Sequence, residues 1–311
     1  MAHHAHEHKK TINRASLTRF AWLSIAAALV TIALKAGAYL LTGSVGLLSD
    51  AAESIVNLAG AIMALSMLII AARPADQSHT YGHSKAEYFS SGVEGALILV
   101  ASAGIIWSAI ERLLDPRPLQ QLGLGLVVSL VASLVNLFIA RILLSAGKRE
   151  NSISLESDGQ HLMTDVWTSV GVIGGVALVA LTGWNVLDSL VAIAVAINII
   201  WTGAQLVRRS VAGLMDAALP LDEQEIIESV MGKYRGKEVD FHALRTRQAA
   251  SRRFVTVHML VPGDWTVHDA HHFAEDFEDD IRAALGEAVI TTHVEPIEDE
   301  LSMHDILLEQ E

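Results

Sequence analysis

Six long apolar stretches fill residues 17–207, and no other feature constrains the fold of this chain as strongly. They run at about 17–41, 45–72, 87–114, 119–146, 159–182 and 184–208. A helix of ~20 apolar residues crosses the hydrocarbon core of a bilayer. Backbone groups in lipid must be satisfied within their own segment, which makes the helix the natural solution for each stretch. The expected class is therefore an all-α transmembrane bundle of six helices. The first stretch is too long for a signal peptide and has no small-residue cleavage site, so it reads as a span. The links "TGS" (42–44) and "TGWN" (182–185) are short enough to make antiparallel hairpins of their flanking helices.

Lys9, Lys10, Arg14, Arg19, Arg73, Lys85, Arg141, Lys148, Arg149, Arg208 and Arg209 all fall on one side of such a bundle. The other side has Arg112 and Arg117, offset by Glu111 and Asp115. A large soluble helical bundle, the rival reading, gives no reason for this asymmetry. The positive-inside rule places both termini in the cytoplasm of a multi-pass protein of the cell's inner (plasma) membrane.

Composition changes near Pro220, after which the chain reads as an ordinary soluble domain. The expected organisation is a His-rich tail (1–16), the transmembrane domain (17–209), a cytoplasmic domain (210–298) and an acidic tail (299–311). The tail "MAHHAHEHKK" could capture metal weakly, and an interrupted affinity tag is its duller reading. In the soluble part, residues 222–234 and 267–285 carry helical patterns. "VDFHALRTRQ", "RFVTVHMLV" and "AVITTHVEP" alternate as strands do, giving the order αββαβ. Cysteine is absent, which excludes disulfides and thiolate metal sites. The formal charge is −13, with "EDFEDD" and "EPIEDE" in the soluble part, so nucleic acid is excluded as a partner.

Two similar stretches carry the chemistry. "SDAAESIVN" (49–57) holds Asp50, Glu53 and Asn57, and "SDGQHLMTD" (157–165) holds Asp158, His161 and Asp165. Each set repeats at i, i+3 and i+7, which is one face of a helix. Ionisable groups inside a membrane are costly and point to function. Facing helices would join Glu53, Asn57, His161 and Asp165 into three oxygen donors and one imidazole nitrogen, a tetrahedral set for a divalent metal. Asn57 as an interhelical hydrogen-bonding residue is the bland alternative. Asp50 and Asp158, nearer the helix starts, serve equally well as caps. Lys35 and Glu94 read as structural partners of each other or of a bundle carboxylate. His242, His258, His271 and His293 lie on different elements of the soluble domain. They either converge on a site or are scattered over the surface, and His268 and His272 read as solvent-facing extras.

The chain resembles the cation diffusion facilitators, proton-coupled exporters of divalent transition metals. "TGSVGLLSDAAES" (42–54), "HTYGHSKAEYFSS" (79–91), "SDGQHLMTDVWTSVGV" (157–172), "MDAALP" (215–220), "LRTRQ" (244–248) and "THVEP" (292–296) carry the resemblance. It implies a transport site at Glu53, Asn57, His161 and Asp165, a loop site at Asp76, His79 and His83, and a cytoplasmic site at His242, His258, His271, His293 and Glu295. Relatives usually have His or Asp at the Glu53 position, Asp at the Asn57 position and Asp at the Glu295 position. Lys85 and Asp216 match positions that interlock two protomers, so a homodimer in the lipid bilayer is implied.

The expected function is proton-coupled antiport of a divalent metal out of the cytoplasm. Zn2+ comes first, both as cargo and as regulator at the cytoplasmic sites. Fe2+, Mn2+, Co2+ and Ni2+ are the alternatives that an imidazole and carboxylate set also suits. A passive metal channel and an intramembrane metalloenzyme are the rival classes. The enzyme lacks support, because no HExxH-type motif occurs and "HDAHH" (268–272) lies outside the spans.

Overall fold

The computed structural model describes residues 17–42, 45–114, 122–184, 186–236 and 238–303. The His-rich tail and most of the acidic tail lie outside these residues. The chain divides between Ala212 and Gly213 into two compact units.

The first unit is a six-helix transmembrane bundle: α1 (Thr18–Thr42), α2 (Val45–Ala71), α3 (Ala86–Leu114), α4 (Leu122–Arg149), α5 (Ile153–Thr182) and α6 (Val186–Leu214). Among the described residues, α1, α3, α4 and α6 each hold a stretch apolar and long enough to cross a membrane, and α2 holds the shorter Asn57–Ala71. Large apolar side chains such as Val100, Trp107, Phe138 and Trp201 project from the outside of the helices, as lipid contact requires. Inside, Leu17, Ala21, Leu65, Leu68, Ala140, Leu143, Leu155 and Leu162 join α1, α2, α4 and α5 in one apolar cluster. Helices α3 and α6 approach closely at two glycines, where a Cβ on Gly203 would meet the Ile98 side chain at 2.9 Å and the Gly95 carbonyl at 3.2 Å. Such small residues let membrane helices approach closely.

Helix α5 begins six residues before the apolar stretch that announces it, at Ile153 rather than 159. Its polar first turns are buried, with the Ser152 hydroxyl donating to Glu87 Oε2 at 2.5 Å and Arg209 Nη1 to Glu156 Oε2 at 2.8 Å. These partners keep the chain helical where hydropathy alone ends. Asp158 is therefore inside α5 and buried, not at its start. It accepts from the Ser24 hydroxyl at 3.1 Å, which replaces its reading as a cap. Asp50 likewise lies within α2.

The second unit is the expected αββαβ layout: α7 (Leu221–Tyr234), β1 (Asp240–Ala249), β2 (Arg252–Val261), α8 (Val267–Leu285) and β3 (Ala288–Pro296). The sheet order is β1-β2-β3, with β1 antiparallel and β3 parallel to β2. Parallel pairing requires a crossover, and α8 supplies it. Ile227, Met231, Phe241, Val257, Met259, Phe277 and Ile281 fill the core between the sheet and the helices. The Thr266 hydroxyl caps α8 by accepting from Asp269 N, and Gly286, at φ 86°, ends the helix.

Candidate metal sites

In the membrane unit, α2 and α5 bring three of the four expected ligands together. Asn57 and His161 are buried. His161 Nε2 lies 2.7 Å from Asn57 Oδ1, and Asn57 Nδ2 donates to Asp165 Oδ2 at 2.5 Å. A carboxylate only accepts, so Asp165 sets the orientation of the Asn57 amide. Its oxygen then faces the imidazole, and His161 Nε2 must carry a proton and donate it. The atoms that would ligate a metal are thus tied to each other. Coordination through Nε2 requires the proton to leave that nitrogen. Glu53 lies one turn before Asn57 on α2, and its side chain is outside the described residues.

Sequence reasoning missed Asn136 on α4. It is buried, and its Nδ2 donates to the same Asp165 Oδ2 at 3.0 Å. The signal was present, since Asn136 is a lone amide in the apolar run "SLVNLF". Near Asp158, Glu94 is also buried and accepts from the Ser90 hydroxyl at 3.0 Å.

The loop between α2 and α3 brings Asp76, His79 and His83 together, with ligand atoms within 4.8 Å of one another. Asp76 Oδ1 accepts the backbone N–H groups of Ser78 at 2.8 Å and His79 at 2.7 Å. The His79 amide is the main reason its carboxyl sits below the ordinary carboxylate range. Oδ2 faces His83 Nε2 at 3.3 Å, while His83 Nδ1 lies 3.2 Å from the Pro74 carbonyl. A carbonyl that holds Nδ1–H leaves Nε2 as the ligating nitrogen.

In the soluble unit, strand register builds the cluster. His242 pairs with His258 across β1 and β2, and His258 pairs with His293 across β2 and β3, so three imidazoles form one row. Glu295 follows His293 by two residues and projects from the same face. It lies 2.9 Å from His242 Nε2, 3.2 Å from His258 Nδ1 and 3.4 Å from His293 Nε2. The ligand atoms of His242, His258 and Glu295 are mutually within 4.8 Å. An irregularity in β1 after His242, with Ala243 at φ 49°, breaks the alternation there. His271 is exposed on α8 and is not part of this cluster within the chain. Asp216 pairs with Arg247 Nη1 at 3.1 Å.

Apolar helices around a buried Asn57–His161–Asp165 cluster are compatible with a membrane transporter of cations. The model of the cation efflux transmembrane domain matches residues 21–215, and that of the cation efflux protein cytoplasmic domain matches residues 219–297. The chain belongs to the cation diffusion facilitator family. It is 54% identical over 280 residues to the uncharacterized transporter sll1263 of Synechocystis sp., covering 90% of each chain. It is 30% identical over 275 residues to the cation-efflux pump FieF of Shewanella oneidensis, covering 88% of this chain and 92% of that one. With FieF of Klebsiella pneumoniae the identity is 28% over 284 residues, covering 90% and 93%.

Proposed function

We propose that this transporter exchanges a divalent transition metal for protons, exporting the metal from the cytoplasm, with zinc as the preferred cargo. The observation that carries this reading is the closed set Asn57–His161–Asp165. Its hydrogen bonds occupy the atoms a metal would use, so metal and proton are alternatives at one place. Metal arriving from the cytoplasmic side displaces the proton on His161 Nε2 and binds between α2 and α5, with Glu53 completing the four ligands. After the helices reorient, protons from outside restore the hydrogen-bonded form and release the cargo. Imidazole suits this role because its charge changes near physiological pH.

The protein works as a homodimer in the inner membrane with both termini in the cytoplasm. The match to the cytoplasmic-domain model and the run of Lys and Arg on one side of the bundle support this arrangement. Zinc at His242, His258, His293 and Glu295, with His271, regulates transport rather than carrying it, and Asp76, His79 and His83 form a further site in the loop.

One observation favours a second cargo. Asn57 Oδ1 and Asp165 Oδ2 set two oxygen atoms against one imidazole nitrogen. Harder ions that take more oxygen ligands, Fe2+ and Mn2+, suit such a set. Uptake of Zn2+, Fe2+, Mn2+, Co2+ and Ni2+ into proteoliposomes, with and without an imposed pH gradient, tests both readings. Gradient-driven accumulation of zinc above the other ions supports the first. Gradient-independent equilibration of any of them marks a passive channel and defeats the antiport reading.

A further inference from the structure

Helix α8 buries Ala270, Ala274, Phe277, Ile281 and Leu285, which fixes its orientation against the sheet. At 100° per residue, His268, His272 and Asp276 then form a stripe on the opposite face, each one turn from the next. All three are exposed, so neither the core nor the histidine row of the sheet explains them. The two imidazole rings meet with centroids 4.4 Å apart. They line a cavity of about 410 Å³ with Asp269, Asp276, Trp265 and Phe273. Trp265 and Phe273 pack edge to face at 5.3 Å and form its apolar wall. Asp269 is held by the capping interaction, since the Thr266 hydroxyl donates to its Oδ2 at 2.6 Å. Asp276 lines the same cavity one turn beyond His272.

We propose that His268, His272 and Asp276 form a separate binding site for a divalent transition metal on the outer face of α8. Two histidines one turn apart on a helix present both nitrogens to one ion without further ordering of the backbone, the arrangement used by helical zinc sites. The carboxylate one turn further on adds a third ligand, and water from the open cavity completes the shell. Imidazole dominance favours Cu2+, Zn2+ and Ni2+ over Mn2+. His271 points elsewhere around the helix, and its ring is 5.8 Å from that of His272.

The test is equilibrium dialysis of the full-length protein in detergent against Zn2+ and, separately, Ni2+. The wild type is compared with His268→Gln/His272→Gln, with Glu295→Gln, and with all three substitutions combined. The double variant should lose one bound metal per chain, and the combined variant should lose a further one. Asp276→Asn should keep the site with a weaker affinity, because a neutral amide replaces the charged third ligand. An unchanged metal count in the double variant overturns the proposal. So does a combined variant that loses no more than Glu295→Gln, because the histidines would then belong to the sheet cluster. The side chains are exposed, and a thermal melt of the metal-free variants checks that folding is unaltered. Independently, Cu2+ should quench the fluorescence of Trp265, read as the part of the quenching lost in Trp265→Phe. Equal quenching with and without Trp265 counts against the site.

Discussion

Asp165→Asn separates charge from shape at the centre of the bundle. Asp165 Oδ2 accepts from Asn57 at 2.5 Å and Asn136 at 3.0 Å, and an asparagine carbonyl oxygen can accept from both in the same place. Hydrogen bonds to a charged acceptor contribute ~1.5–3 kcal/mol and those to a neutral one ~0.5–1.5 kcal/mol. Two weakened bonds therefore cost about 2–3 kcal/mol of stability from the midpoints of these ranges, and the bundle stays folded. Cargo loses a formal charge at close range. Removing one member of a buried charged pair costs ~2–5 kcal/mol. At about 1.4 kcal/mol per tenfold, zinc affinity at this site should fall roughly 30- to 4000-fold. The assay is zinc uptake into proteoliposomes followed by an indicator dye, with size-exclusion chromatography to show an intact protein. A variant that transports zinc at the wild-type rate would refute the reasoning, since the carboxylate would then hold neither cargo nor proton.

Other substitutions test the supporting structure. Asn136→Leu should reduce transport while leaving zinc binding by the soluble domain intact, which dialysis can separate. Gly203→Val should loosen α3 from α6, because its Cβ alone meets Ile98 at 2.9 Å, and detergent thermal melts should show the loss. Arg253→Lys should cost about 1 kcal/mol in a denaturant titration of the soluble unit. It keeps the charge but loses the paired bonds to Glu223 at 2.7 and 2.6 Å. Tyr234 has its phenol pushed up to about 12, by burial first and then by the neighbouring Asp280. The folded state thus holds this proton more tightly than the unfolded one. The associated stability is complete below the ordinary tyrosine value of 10.0 and is lost as pH rises from there through about 12. Absorbance titration of Tyr234→Phe against wild type should remove one late-ionising phenol.

The bundle and the αββαβ order were legible because hydropathy and alternation report directly on what each segment buries. The approach of Asn57 to His161 and Asp165 was legible because helical spacing is fixed, and the structure joins these three. Asn136 escaped because its partner lies on another helix, and a lone amide has no spacing signature. The start of α5 escaped because its buried polar turns depend on Glu87 and Arg209, which come from α3 and α6. In the soluble domain the residues alone left convergence or scatter of the histidines open, and only the family resemblance implied one site. The convergence follows from a register that pairs His258 with both His242 and His293, a property of the assembled sheet. His268 and His272 are solvent-facing, as expected, whereas the cavity beside them depends on how Trp265 folds back on α8.

The central claim is that α2 and α5 hold one dehydrated cation between them. A zinc-bound structure with anomalous scattering collected at the zinc edge tests it most directly. The account predicts one peak in the membrane unit, at ~2.0–2.2 Å from His161 Nε2 and from oxygens of Asp165 and Glu53, with the Asn57 amide oxygen turned toward it. A crystal saturated with zinc at the soluble-domain histidines but with no peak between α2 and α5 would contradict it.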